Sequence, residues 1–122
     1  MDELWAICDR VVELSLPARK DYSESRCQML TGLALVRAGL ADSARSVMSR
    51  ARVGPDVDPV RDLAWLEAVG RTWLGDYDEA VDRLAVYLAA NPGQADSFAG
   101  DDSWWLADLR SHPGYRRLMA PR

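Results

Sequence analysis

The stretch WLGDYDEAVDRLAVYLAANP, Trp73 to Pro92, sets Gly75, Ala80 and Pro92 in one order around residues of helical spacing. A second stretch, GLADSARSVMSRARVGP from Gly39 to Pro55, follows the same order. Gly39 matches Gly75 at a distance of 36 residues, and Ala44, Met48 and Ala51 match Ala80, Leu84 and Tyr87. Each position has a physical reason. A Gly permits the left-handed backbone that ends a helix. An Ala early in the next helix lets two helix axes come close, where a larger side chain would hold them apart. Pro92 stops the second helix, and Pro55 does so one unit earlier, a residue out of register.

Working outward, helical spacing continues in both directions. In DELWAICDRVVELSL the residues Leu4, Cys8, Val11, Val12 and Leu14 fall on one broad face, with Asp2 as a cap and Pro17 as the stop. SESRCQMLTGLALVRAG reads as a second helix, capped by Ser23 and ended by Gly39. DSARSVMSRAR follows with Asp42 as its cap, and the short turn makes the two helices antiparallel. VGPDVDP is a loop in which Asp58 caps the next helix, with Pro59 at its first position. VRDLAWLEAVGRTWLG and YDEAVDRLAVYLAANPG form the next pair. GQADSFAGDDS is a longer loop, WWLADLRS a short helix, and HPGYRRLMA a last helix with Pro113 in its first turn. The fold class is all-α, with about two full helix-pair repeats and flanking capping helices in a single domain over 1–122.

Helix pairs recurring in the mid-thirties indicate a solenoid, and the chain resembles the tetratricopeptide repeat (TPR) family. The resemblance covers residues 25–92, as repeats 25–56 and 59–92. In the second, Gly75, Tyr77, Ala80, Leu84 and Pro92 stand at family positions. In the first, Gly32, Leu35, Gly39, Ala44 and Ala51 fit, while Ala41 replaces an aromatic residue. The family's Trp-Leu-Gly opening is degraded in both, and Ala64, Glu67 and Ala68 hold those places in the second. Residues 2–16 then serve as an N-terminal capping helix or half repeat, and 103–119 as C-terminal capping helices. The tail LADLRSHPGYRRLM also resembles the segment that closes TPR arrays in many bacterial multidomain proteins. It implies that the chain is the end of a longer protein.

Composition narrows the function classes. Hydrophobic residues make up 48% of the 122 residues, enough to build a core. The net charge of −4 argues against nucleic acid, which a basic stripe would bind, and against an anionic membrane surface. No apolar run approaches the ~20 residues that span a bilayer, and the acidic opening MDELWAICDR is no signal peptide. The chain reads as cytoplasmic. Cys8 and Cys27 lack zinc spacing and read as two small apolar residues in a reduced compartment rather than as a disulfide.

No constellation points to catalysis or to a cofactor or metal. His112, the one His, precedes Pro113 and reads as a helix cap. Asp101-Asp102 favours a helix start instead of forming an acid pair. The DVD at 56–58 lacks the Gly and distal Glu of a calcium loop. The Gly residues are scattered and form no phosphate loop.

The family resemblance implies a partner-binding groove lined by the first helix of each pair. It maps to Arg26, Met29, Leu33, Val36 and Arg37 in the first repeat and to Asp62, Trp65, Val69, Thr72 and Trp73 in the second. Met29 and Leu33 stand where chaperone-tail binders carry Lys and Asn, which argues against that sub-function. Trp65 and Trp73, two turns apart, share a face by helix geometry alone. Two readings stand side by side: the Trp pair is inter-helix core, covered by the N-terminal helix or by the C-terminal WWL, or it forms an exposed apolar floor. Trp104 and Trp105 point to different sides, one packing on the last repeat. The expected function is a non-enzymatic protein–protein interaction module that binds a helical or extended peptide with apolar anchors and some acidic character. The alternative is a C-terminal oligomerisation or sensory segment of a bacterial regulator, kinase or cyclase, acting as a homo-oligomer.

Overall fold

The computed structural model describes residues 2–14, 19–95 and 104–120. Among them every regular element is helical and no strand is present. No described helix is long and apolar enough to cross a membrane. The chain divides into two compact units, Met1–Pro59 and Val60–Arg122, at the Pro-bearing loop between the two sequence repeats. Several expectations lie outside the described residues or side chains: the Asp2 cap, the Val11 and Leu14 positions, the Pro17 stop, Asp101-Asp102 and the packing of Trp104 and Trp105.

The first unit holds α1 (Asp2–Leu14), α2 (Lys20–Arg37) and α3 (Ala41–Arg50). The central helix α2 packs on both α1 and α3. The buried apolar side chains here are Cys8, Met29, Leu35, Ala44, Met48 and Ala51. Gly32 marks the close approach of α2 and α3: a Cβ there would stand 2.5 Å from Met48 Cγ.

The second unit holds α4 (Asp62–Leu74), α5 (Tyr77–Ala90), a 3-10 helix (Trp104–Leu109) and α6 (Pro113–Met119). α4 and α5 form the main pair; the 3-10 helix packs chiefly on α4, and α6 on α5. One core joins Ala68, Val69, Ala80, Leu84, Leu88, Leu106, Leu109 and Tyr115. The C-terminal segment thus supplies apolar surface that a two-helix unit lacks.

The 36-residue correspondence extends to the backbone. Gly39 and Gly75 have φ of +81° and +83°. The N–H of Leu40 bonds the carbonyl of Leu35, and that of Gly39 bonds Val36. The N–H of Asp76 bonds Arg71, and that of Gly75 bonds Thr72. Both turns are therefore Schellman motifs, which satisfy the last carbonyls of the first helix. Ala44 and Ala80, early in each second helix, are fully buried, as are Met48 and Leu84 one turn later.

Three helix starts differ from those expected. α2 begins at Lys20, ahead of Ser23. Arg19 lies over the Tyr22 ring at 4.6 Å, a cation–π contact that holds the earlier turn. α3 begins at Ala41 with Leu40 at the N-cap, so Asp42 lies inside the first turn, where it pairs with Arg45 at 3.3 Å and meets the positive helix end. α4 begins at Asp62 rather than at Pro59. The N–H of Asp58 bonds the carbonyl of Gly54 at 3.0 Å, which closes a turn that buries Asp58 well before the helix. Arg61, in left-handed backbone at φ 59°, takes the N-cap position instead. Just before it, the carbonyl of Val60 accepts from Asn91 Nδ2 at 2.7 Å.

Candidate functional site

On α2 the predicted partner-binding residues fall into two groups. Arg26 and Arg37 are exposed, and Leu33 and Val36 are half-buried. Met29 is 1% exposed and has no surface to offer. The spacing 26, 33, 36, 37 brings the accessible four to one side of α2.

On α4 the outcome is different. Asp62 is exposed, Trp65 and Trp73 are half-buried, and Val69 and Thr72 are buried. Val69 belongs to one core with Leu106 and Leu109, and both Trp side chains pack against that core. Thr72 Oγ1 donates back to the Ala68 carbonyl at 2.8 Å. The face of α4 read from the sequence is thus largely consumed within its own unit, while part of each Trp stays at the surface. The negative charge of Asp62 acts on Tyr87, whose hydroxyl is held above its ordinary pKa by burial first and by that charge second.

His112 caps α6, as the sequence suggests. Its Nδ1 accepts from the Gly114 N–H at 2.9 Å. Because Nδ1 is the acceptor, the proton sits on Nε2, which donates to Asp78 Oδ1 at 2.9 Å. Both ring nitrogens are engaged in joining α6 to the start of α5.

Two features escaped the sequence reading. The first is a buried ionic cluster in the second unit. Glu67 is fully buried, with Oε2 3.1 Å from Arg71 Nε and Oε1 3.2 Å from Arg83 Nε. Arg71 Nη1 also meets Asp76 Oδ2 at 3.3 Å. The i,i+4 spacing of Glu67 and Arg71 was visible, but such pairs are ordinarily solvated faces. The signal was their neighbourhood, since Ala64, Ala68 and Thr72 flank them with small residues that let α5 approach.

The second feature is a set of adjoining hollows in the first unit that share Trp5. One of about 450 Å3 lies between Trp5, Leu35, Ser43, Ser46, Val47 and Arg50. Another of about 230 Å3 lies between Trp5, Cys8, Val12, Cys27 and Gln28. They arise because α1 and α3 both rest on α2. Trp5 falls at helical spacing from Cys8, but periodicity alone does not distinguish a filled face from a hollow one.

Among the described residues no group of His, Cys, Asp and Glu is placed to hold a metal ion. Comparison of the chain with protein-family models, with curated proteins and with solved structures finds no match in any of the three.

Proposed function

We propose that the chain is a non-enzymatic protein-binding module of TPR type. In the first unit it presents Leu33 and Val36 as apolar contacts between Arg26 and Arg37; in the second, the accessible edges of Trp65 and Trp73 beside Asp62. The partner is a helical or extended peptide segment with apolar anchors and some acidic character, because the two Arg residues flank the α2 contacts. One observation supports this most. The two units share one Schellman turn and one buried Ala at the same 36-residue offset, a regularity of helix-pair scaffolds, which present faces to other chains.

The experiment is affinity capture from the native cell extract with three proteins: wild type, the Arg26→Glu/Arg37→Glu double variant, and Trp65→Ala. Both Arg side chains are exposed, and far-UV circular dichroism of each variant checks that its helicity is retained. The proposal expects a discrete partner that the double variant loses by tenfold or more, roughly 1.4 kcal/mol. A captured set that is unchanged by the double variant contradicts it. So does a wild-type chain that captures only its own copies, which is the outcome expected of an assembly segment.

A further inference from the structure

The chain's two cysteines, 19 positions apart in sequence, stand on α1 and α2 and line one hollow between them. Both are reduced. Cys8 on α1 is buried, with Sγ 4.0 Å from Thr31 Oγ1 on α2. Thr31 Oγ1 in turn donates to the Cys27 carbonyl at 2.8 Å. Cys8 therefore lies against the single helical turn that runs from Cys27 to Thr31. The two residues also line the same hollow of about 230 Å3 beside Trp5, whose wall carries Asp9 from α1 and Glu24 from α2. Burial first and the neighbouring Cys8 second push the Cys27 thiol up to about 11, against a smaller opposing pull from the Arg26 charge.

We propose that Cys8 and Cys27 are a redox pair that closes into an intramolecular disulfide, fastening α1 to α2, when a small disulfide such as oxidised glutathione reaches the hollow. Cys27 is the half-buried member and the one an oxidant meets first. Its thiolate attacks one sulfur of oxidised glutathione, forming a mixed disulfide and expelling one glutathione thiolate. The Cys8 thiolate then attacks the Cys27 sulfur and expels the second glutathione. Two protein thiols are oxidised, one glutathione disulfide is reduced, and two glutathione thiols leave with the two protons. The consequence falls on α1, whose main contact is with α2. The bridge would fix α1, and with it the Trp5 wall of the hollows. At neutral pH the Cys27 thiolate is scarce, so closure is slow and quickens about tenfold per pH unit between about pH 7 and 10. An ordinary thiol levels off near pH 9, so a rate still rising between about pH 9 and 10 separates this pair from it.

The test is incubation of the whole reduced chain with oxidised glutathione at about pH 9, where thiolate is less scarce, followed by alkylation in denaturant and intact mass measurement. The expected result is a monomer lighter by about 2 Da with neither cysteine alkylated, restored by reductant, and with a thermal midpoint several degrees above the reduced form. Cys8→Ala should stop at a glutathione adduct on Cys27. The proposal is overturned if the wild-type chain accumulates that same adduct, forms disulfide-linked dimers, or keeps both thiols alkylatable.

Discussion

At the scale of single residues, the turns and caps decide where the chain reverses. A Cβ at Gly75 would meet nothing within 4 Å, so the cost of a side chain there is the left-handed backbone alone. Gly75→Ala should therefore lower stability by about 1 kcal/mol, and Gly75→Asn by less, as measured by urea denaturation. His112 combines a cap with a bond to Asp78, but Asp78 is almost wholly exposed, so the cap dominates. His112→Ala should cost about 1 kcal/mol, while His112→Asn, which still accepts from the Gly114 N–H, should recover most of that in the same measurement. Cys27 contributes to the pH dependence. Its folded-state pKa, about 11, lies above the ordinary 9.0, so the folded chain holds the proton more tightly. That contribution is complete below about pH 9 and is lost as pH rises through about 11. The alkylation rate of native Cys27 should inflect near 11, against 9 in denaturant. These residues were legible to different degrees. Gly39, Gly75 and His112 announce themselves because their neighbours in sequence set their roles. Cys27 does not, since its environment comes from α1, across a linker.

At the scale of elements, the two helix pairs serve as each other's control. Thirty-six residues before Glu67, Arg71 and Arg83 the first unit has Thr31, Leu35 and Val47. The buried carboxylate offsets two guanidinium groups, where the first unit has an uncharged set at the corresponding positions. Removing one partner strands the others, whereas replacing the cluster does not. Glu67→Ala should cost about 3 kcal/mol in chemical denaturation. The triple change Glu67→Thr, Arg71→Leu, Arg83→Val, which installs the first unit's residues, should cost less than that single change. The same comparison shows why helix existence was readable and helix starts were not. Apolar spacing along α4 and α5 is local, but α4 begins at Asp62, after Arg61 in left-handed backbone, while Asp58 is held in the turn closed on Gly54. A cap is a competition among several local contacts, and Ser23, Asp42 and Asp58 each lost it to a contact spanning three or four residues: Arg19 over Tyr22, Asp42 with Arg45, and Asp58 with Gly54.

At the scale of the whole molecule, one 36-residue rhythm organises two units that complete their cores differently. The first does so with α1, leaving hollows around Trp5; the second does so with Leu106, Leu109 and Tyr115 from the C-terminal segment. This is why burial of the residues proposed to meet a partner was not legible in the sequence. Met29, Val69 and Thr72 lie on the helical stripes that the spacing picks out, but the depth of a stripe depends on what covers it. Leu33 and Val36, with Arg26 and Arg37, remain the accessible part on α2. The most direct measurement is site-specific photo-crosslinking in native cell extract, with the reactive group placed at position 33, at position 36, or at the exposed control position Ser49 on α3. The account predicts one discrete adduct with another protein from positions 33 and 36 and none from position 49. Equal adducts from all three positions, or adducts only between copies of this chain, would contradict it.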